Sequence, residues 1–241
     1  RQRQMCIRDR YTFTVTANGT QLNASKNGAA ATKIATIDAK GIITYNKVDK
    51  NAQTLLNKSA YNVDPFTAGI EIVVTNECDE ILPLTGNKFD VKFLRPINVV
   101  DLKSAELKDA TTGTAKIDMS KLLGLTDWRG EAFAVEPIDF YTYYGIEGAT
   151  AISIDKDKIM TTLNASEAAP KLLKDVAPNM SIDYACDLKK SGNDITYGDL
   201  VYANGKFTIN APFKLFIPVT VKYTFGEVTS TVTLTITPTH D

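Results

Sequence analysis

The sequence is poor in the residues that carry most catalytic and redox chemistry. It has one histidine, His240, next to the last residue, and only three cysteines and one tryptophan among 241 residues. A single terminal histidine excludes Ser-His-Asp and Cys-His arrangements, and it excludes any metal site built from several histidines. We therefore expect no enzymatic activity and no cofactor.

The cysteines are also badly placed for bonding or metal binding. Cys6 lies in an atypical N-terminal decapeptide, and Cys78 and Cys186 fall in different predicted domains. None of them forms a C-x-x-C pair, so neither a disulfide within a domain nor a zinc or redox site is expected. We expect Cys78 and Cys186 to be small packing residues.

Long hydrophobic runs and an excess of one charge are absent as well. No apolar stretch approaches the ~18 residues that a membrane-spanning helix needs. The 27 lysines and arginines nearly balance the 28 acidic residues. The lysines alternate with acids instead of forming a basic stripe with aromatic platforms, which argues against nucleic acid as a partner.

The first ten residues, RQRQMCIRDR, differ from all that follows. They carry four arginines against one aspartate and lack the alternating pattern that begins at Tyr11. They resemble the translated end of a transposase adapter used in preparing sequencing libraries. We therefore leave residues 1–10 out of the fold prediction and treat the chain as a fragment whose leader is not visible.

The strongest secondary-structure signal is strict alternation near the C-terminus. Residues 228–237 alternate apolar side chains with threonine or serine, and residues 217–225 alternate in the same way. This pattern predicts two antiparallel strands with one buried face. A turn at Gly226-Glu227 would pair Phe225 with Val228, and further along Val221 with Val232, Val219 with Leu234 and Ile217 with Ile236. Pro238 should end the second strand.

Shorter strand signals recur along the rest of the chain. In the first half they cover residues 11–19, 34–46, 70–76 and 88–96, with turn signals at residues 18–19, 39–41 and 86–87. In the second half we predict strands at 138–144, 151–154 and 181–186, and short helices near 119–125 and 167–176. This spacing favours an all-β sandwich over a parallel α/β fold.

A weak internal repeat indicates two domains. Residues 37–44, IDAKGIIT, match residues 201–208, VYANGKFT, in the form apolar-x-Ala-(Lys or Asn)-Gly-x-apolar-Thr. The shared glycine suits a tight hairpin, which needs positive φ. We predict a first sandwich domain at 11–98 and a second at 99–241, the second elaborated with short helices.

At this motif the chain resembles the group 2 bacterial immunoglobulin-like repeat. The resemblance rests on Ala35-Thr36-Ile37-Asp38 and Gly41-Ile42-Ile43-Thr44, and the second copy has Tyr202 where the first has Asp38. The resemblance implies two tandem immunoglobulin-like antiparallel β-sandwich domains. It also implies a spacer or display module of extracellular adhesins, polysaccharide-handling surface proteins or phage virion proteins, with no catalytic residues to transfer.

The candidate binding residues are aromatic. Trp128 and Arg129 lie in the run Asp-Trp-Arg-Gly, and Tyr141 and Tyr143 lie in a predicted strand where they would share one face. Aromatic faces stack on sugar rings while neighbouring polar groups fix the orientation, so these four residues are candidates for carbohydrate binding. The alternative is that they pack in the core or at its rim.

Two oxygen-rich segments are candidate metal sites. Residues 76–80, NECDE, and residues 155–157, DKD, supply carboxylates, but neither matches a complete calcium loop and lysines flank the second. We expect solvated loops there and no metal.

The predicted function is a structural or adhesive repeat segment of a larger bacterial cell-surface or secreted protein, exposed outside the cell or at the outer membrane. Its expected partners are a polysaccharide or a host or cell-surface protein, and neighbouring domains of a longer chain. The alternatives are a carbohydrate-binding module that uses Trp128 and Tyr141 or Tyr143, and a phage virion or tail decoration protein.

Overall fold

β-Branched and aromatic residues alternate with polar ones over most of the chain, and the structure, a computed structural model, is mostly β. The structure describes residues 12–16, 21–24, 32–38, 41–58, 66–75, 80–83, 85–103, 105–108, 113–163, 169–205, 209 and 211–239. The chain divides into two compact units on either side of the Arg95–Pro96 bond. We call them unit 1 and unit 2. The sequence analysis places the domain boundary after residue 98.

The described residues of unit 1 form two small antiparallel sheets and one helix. Its elements are β1 (Thr12–Thr16), β2 (Gln21–Ala24), β3 (Thr32–Ile37), β4 (Ile43–Tyr45), α1 (Lys50–Asn57), β5 (Phe66–Thr75), β6 (Ile81–Leu82) and β7 (Lys88–Phe93). In one sheet β5 pairs with β1, β6 and β7, and in the other β3 lies between β2 and β4. Strands β1, β3, β4, β5 and β7 overlap the four segments predicted as strands for this half, whereas β2, β6 and α1 were not predicted. The predicted turn at residues 18–19 lies outside the described residues.

Unit 2 begins with strands that alternate with short helical turns. Its first elements are β8 (Ile97–Asp101), β9 (Glu106–Lys108), β10 (Thr114–Asp118), the 3-10 turn η1 (Met119–Lys121), β11 (Leu123–Asp127), α2 (Phe140–Tyr143), β12 (Ile152–Ile154), the 3-10 turn η2 (Lys156–Lys158) and β13 (Met160–Thr162). They are followed by β14 (Lys171–Leu172), α3 (Leu173–Val176), β15 (Ser181–Tyr184), β16 (Lys189–Ser191), β17 (Asp194–Thr196), β18 (Asp199–Ala203), β19 (Phe213–Tyr223) and β20 (Gly226–Thr237).

The largest sheet of unit 2 is built around the β19–β20 hairpin. Its strand order is β14-β13-β19-β20-β9, with β12 also paired to β19. A second sheet has the order β10-β18-β15, and β8 pairs with β11. The alternating apolar residues of β19 and β20 and those of β15 and β18 belong to one buried cluster, so these sheets share a core. Among the described residues no helix is long and apolar enough to cross a membrane.

The C-terminal hairpin confirms the predicted strands and buried face but corrects the register. Tyr223 pairs with Gly226, so the connection is Thr224-Phe225 and not Gly226-Glu227. Val221 therefore pairs with Val228, where Val232 was predicted. A shift by an even number of residues keeps every side chain on its face, so alternation alone cannot choose between these registers. A tertiary contact favours the observed register, because the amide and hydroxyl of Thr224, in the connection, both donate to the carbonyl oxygen of Tyr144, at 2.8 and 2.9 Å.

Three of the elements predicted for the middle of the chain need correction. The predicted strand at 138–144 is wrong, because residues 140–143 form α2. The predicted helix at 119–125 is reduced to the single turn η1, after which β11 begins. The predicted helix at 167–176 is reduced to α3, and residues 164–168 lie outside the described part of the chain. The strands predicted at 151–154 and 181–186 are confirmed as β12 and β15.

Candidate functional site

Two of the candidate residues, Trp128 and Arg129, lie at the tip of a hairpin in unit 2. Strand β11 ends at Asp127, and the chain returns to an antiparallel bridge between Thr126 and Ala132. The Asp127 carboxylate accepts hydrogen bonds from the backbone amides of Arg129, at 2.7 Å, and Glu131, at 3.0 Å. Gly130 has a φ of 93°, which disfavours a side chain there. The turn is thus held by its own backbone and one carboxylate.

This turn presents Trp128 and Arg129 together. Trp128 keeps 37% of its surface exposed. The Arg129 guanidinium carbon lies 5.2 Å from the centre of the Trp128 ring, which is within the range of a cation–π contact. The Arg129 Nε also lies 3.5 Å from an Asp127 carboxylate oxygen. The three residues form a small aromatic and charged tip.

A second exposed aromatic residue lies on α2. Asp139 caps this helix by accepting hydrogen bonds from the backbone amides of Tyr141, at 3.0 Å, and Thr142, at 3.2 Å. A capping aspartate favours a helical first turn over a strand, and this signal was present in the sequence as Asp139 two residues before Tyr141. Tyr143 is 69% exposed, and its ring meets that of Tyr144 edge-on at 5.0 Å.

The helical geometry separates the two tyrosines that a strand would have placed on one face. Tyr141 is buried, with 4% of its surface exposed. Its hydroxyl lies 2.8 Å from the hydroxyl of Tyr197, and the Tyr184 hydroxyl donates to the carbonyl oxygen of Tyr197 at 2.6 Å. Tyr141 therefore cannot stack on a ligand ring, and it serves the core.

These buried phenols are uncharged at neutral pH. Burial raises the pKa of Tyr197 far above its usual value, and the neighbouring Tyr141 adds to the rise. Burial is also the largest cause of the raised pKa of Tyr141 and of Tyr184. The three tyrosines form a hydrogen-bonded network within the packed part of unit 2.

A charged cluster holds the N-terminal end of α2. Lys190, on β16, donates hydrogen bonds to the Asp139 carboxylate and to the Thr142 hydroxyl. Burial acts to raise the pKa of Asp139, but the hydrogen bonds from Lys190 and Thr142 outweigh it and hold that pKa below its usual range. The sequence analysis missed Asp127, Asp139 and Lys190. Spacing would have indicated the two aspartates as turn and cap residues, but nothing local links Lys190 to Asp139.

The hairpin tip and the aromatic helix belong to one region of unit 2. The pKa of Tyr144 is raised by burial first, and then by the charges of Tyr143 and Asp127. The Asp127 carboxylate, at the base of the tip, is thus close enough to act on the residue that follows α2. Of the predicted residues, Trp128, Arg129 and Tyr143 remain on the surface.

The acidic side chains of residues 155–157, the second segment considered for metal binding, pair with lysines. Asp155 pairs with Lys158 at 2.8 Å, and Asp157 lies 3.8 Å from Lys174. Residues 76–79 lie outside the described part of the chain, as do Cys6, Cys78 and His240. Within the described residues no group of three or more His, Cys, Asp or Glu side chains is arranged to hold a metal ion. Cys186 is half-buried, and its thiol donates to the carbonyl oxygen of Gly148 at 3.6 Å.

An open concavity of about 200 Å³ lies elsewhere in unit 2, among η2, α3 and β15. Its floor includes Ile159, Leu173 and Met180, and Lys156 at its rim donates to Asp183. It holds no cluster of reactive side chains. A scan of the chain against protein-family models gives no match, and a search of the curated proteins gives none either.

Proposed function

We propose that this chain is a non-catalytic structural segment of a larger bacterial cell-surface or secreted protein, built from two immunoglobulin-like β-sandwich domains in tandem. The observation that carries the proposal is the arrangement of two β-rich units in series on one chain. Strand β7 ends at Phe93 and β8 begins at Ile97, so the two units are joined with almost no linker. Tandem β domains with short connections are typical of spacer segments that display a binding region.

Two local features support the immunoglobulin-like assignment. In unit 2, side chains of the two larger sheets belong to one buried cluster, which is what two sheets packed face to face in a sandwich would produce. In unit 1, the motif that carries the resemblance forms the turn between β3 and β4. There the Asp38 carboxylate accepts a hydrogen bond from the Ile42 amide at 2.8 Å, and Gly41 has a φ of 81°. The aspartate and the glycine of the motif thus both serve a tight turn.

Surface labelling tests this proposal directly. Antibodies raised against residues 96–241 should label intact cells of the bacterium that encodes the chain, and mild protease treatment of those cells should remove the label. Labelling that appears only after the cells are permeabilised would contradict the proposal. Labelling of purified virions in place of cells would instead favour a phage virion or tail decoration protein.

A second candidate function is carbohydrate binding at the hairpin tip. It is favoured by one observation, which is that a preformed turn holds Trp128 on the surface with Arg129 against its ring. A preorganised aromatic face beside a guanidinium suits a sugar ring with its hydroxyls. The polysaccharide would then be the partner that the segment binds.

Binding of the purified chain to a glycan array tests this second function. Trp128→Ala should weaken binding of any captured glycan by about tenfold, the loss expected when one aromatic stacking contact is removed. Phe89→Ala is the matched control, because Phe89 is a similarly exposed aromatic residue of unit 1, with 46% of its surface exposed. Equal binding by the wild type and Trp128→Ala, or no glycan captured at all, would reject this candidate.

A further inference from the structure

The second and the last strand of unit 2 run side by side in the same direction. β9 pairs with β20 in parallel, with Glu106 opposite Thr235, Leu107 opposite Ile236 and Lys108 opposite Thr237. Every other strand pair that the described residues form is antiparallel. The parallel pair joins the segment by which the chain enters unit 2 to the segment by which it leaves.

The direction of the strands decides how this pair responds to tension. Pulling the chain from both ends draws β9 toward its N-terminal end and β20 toward its C-terminal end. In a parallel pair these two displacements are opposite along the strand axis, so the strands are sheared. A sheared ladder loads its hydrogen bonds together, whereas a ladder pulled from one end opens one bond at a time.

Side-chain hydrogen bonds extend the pairing along one edge of β20. The Asp101 carboxylate accepts hydrogen bonds from the Thr233 amide, at 3.1 Å, and from the Thr233 hydroxyl, at 2.9 Å. The Thr235 amide donates to the carbonyl oxygen of Ala105 at 3.3 Å, and the Thr237 hydroxyl donates to the Glu106 carboxylate. Alternate residues of β20 are thus tied to the entering segment, as the period of a strand requires.

Asp101 also shapes the bend between β8 and β9. Its carboxylate accepts a hydrogen bond from the Lys103 amide at 3.1 Å, and Lys103 has a φ of 55°, which is unfavourable for a residue with a side chain. The bend lets the entering segment leave its pairing with β11 and join β20. One carboxylate therefore holds both the bend and the first contact with β20.

Buried side chains resist sliding on both strands. Ile97 on β8 and Ile236 on β20 are fully buried, and Leu107 on β9 is 7% exposed. All three belong to the core of unit 2. Moving either strand along its axis would draw these side chains toward water, which adds a hydrophobic cost to the broken hydrogen bonds.

We propose that unit 2 carries tension along the chain, through a shear clamp formed by β8, β9 and β20 with Asp101 at its centre. This inference rests on the proposed function, because tension reaches the clamp only in a segment that is held at both ends. Bacterial surface segments that tether a binding region experience such tension under flow.

Single-molecule force spectroscopy of the whole chain tests the clamp in two pulling directions. In one, the handles are attached at the chain ends, which shears the clamp. In the other, they are attached through Lys108→Cys and Thr239→Cys in a background with the native cysteines replaced by serine, which peels β9 from β20 at one end. The gain in contour length tells which unit has opened, since the units differ in length.

The expected result is a clearly higher unfolding force for unit 2 when it is pulled from the chain ends than when it is peeled. Asp101→Ala should speed unfolding under end-to-end load by about tenfold, the effect of losing charge-assisted hydrogen bonds that must break in the transition state. Asp199→Ala is the matched control, because that carboxylate pairs with Lys116 on the surface away from the clamp and its loss should leave the force unchanged.

Equal unfolding forces in the two pulling directions would overturn the clamp. This comparison does not depend on whether Asp101→Ala folds. If Asp101→Ala does not lower the end-to-end unfolding force, Asp101 is not at the centre of the clamp. The force measurements and the surface labelling can fail independently. A segment exposed on cells can show no difference between the pulling directions, and a segment that is not exposed on cells can still show one.

Discussion

The two units of this protein share a sequence pattern and differ in what the pattern buries. In unit 2, β20 alternates apolar and polar residues, and its inward side chains Val228, Val232, Leu234 and Ile236 are at most 3% exposed. In unit 1, β7 alternates in the same way, yet Phe89 is 46% exposed and Val91 and Phe93 are only half-buried. Alternation marks which side chains share a face, and a second layer decides whether that face is buried.

The contrast extends to the whole of each unit. Among the residues that the structure describes, unit 2 has a continuous core of thirty buried side chains, drawn from its sheets and from the segments between them. In unit 1, the hydrophobic residues that the structure describes as buried are Ala35, Ala52, Leu56 and Ile70, while Ile42, Val48 and Ile81 are exposed. The difference predicts that unit 2 carries most of the stability of the described chain, and the following variants test it from the largest effect to the smallest.

The largest effect should come from the core of unit 2. Leu234→Ala removes a fully buried side chain and should lower the free energy of unfolding of unit 2 by about 2–5 kcal/mol. Leu56→Ala, at a buried site of unit 1, should cost that unit less because fewer of the described residues of unit 1 are buried. Urea unfolding followed by Trp128 fluorescence reports unit 2, and hydrogen exchange reports both units. Equal losses would show that unit 1 is as well packed as unit 2.

The next effect should come from the buried tyrosine pair. Tyr197→Phe leaves the Tyr141 hydroxyl buried without its partner and should cost unit 2 about 1–3 kcal/mol. Tyr141→Phe combined with Tyr197→Phe should cost much less than the sum of the two single changes, because either one already breaks the pair. Additive losses, measured by the same urea titration, would argue against a coupled pair.

The same tyrosines make unit 2 sensitive to alkali. Burial raises the pKa of both phenols in the folded state, so their contribution to stability is fully present below the ordinary tyrosine pKa of about 10 and is lost as the pH rises above it. In unit 1, burial and the charge of Asp49 raise the pKa of Tyr45 to about 12. Unfolding midpoints measured from pH 8 to about pH 11.5 should fall, and the fall should be shallower in the double Phe variant. An unchanged slope in that variant would contradict this origin.

The smallest effect compares the helix caps of the two units. Asp49 caps α1 by accepting a hydrogen bond from the Ala52 amide at 2.8 Å, and Asp49→Ala should cost about 1 kcal/mol. Asp139→Ala should cost more, up to about 2 kcal/mol, because it also removes the partner of Lys190. Asp139→Asn is the control that can still cap the helix but lacks the charge. A larger loss at Asp49 would reverse the comparison.

The candidate site shows which residues local pattern could and could not assign. Trp128 and Arg129 were selected from a four-residue run, and the structure places them at an exposed tip because Asp127 and Gly130 of that run form the turn. Tyr141 and Tyr143 were placed on one face of a strand. The Asp139 cap makes the segment helical, and Tyr141 then points into the core. There its hydroxyl contacts that of Tyr197, which is more than fifty residues away in sequence.

The sequence by itself determined the mostly β character of the chain, the positions of its longest strands and which side chains of those strands share a face, since these depend on neighbours a few residues apart. Only the tertiary structure decided the hairpin register, the burial of Tyr141 against Tyr197 and the parallel pairing of β9 with β20. Each of these depends on groups distant in sequence, such as Tyr144 beside Thr224 and Asp101 beside Thr233. Their hydrogen bonds and buried surface exist only once the layers have packed, so no local pattern could have specified them.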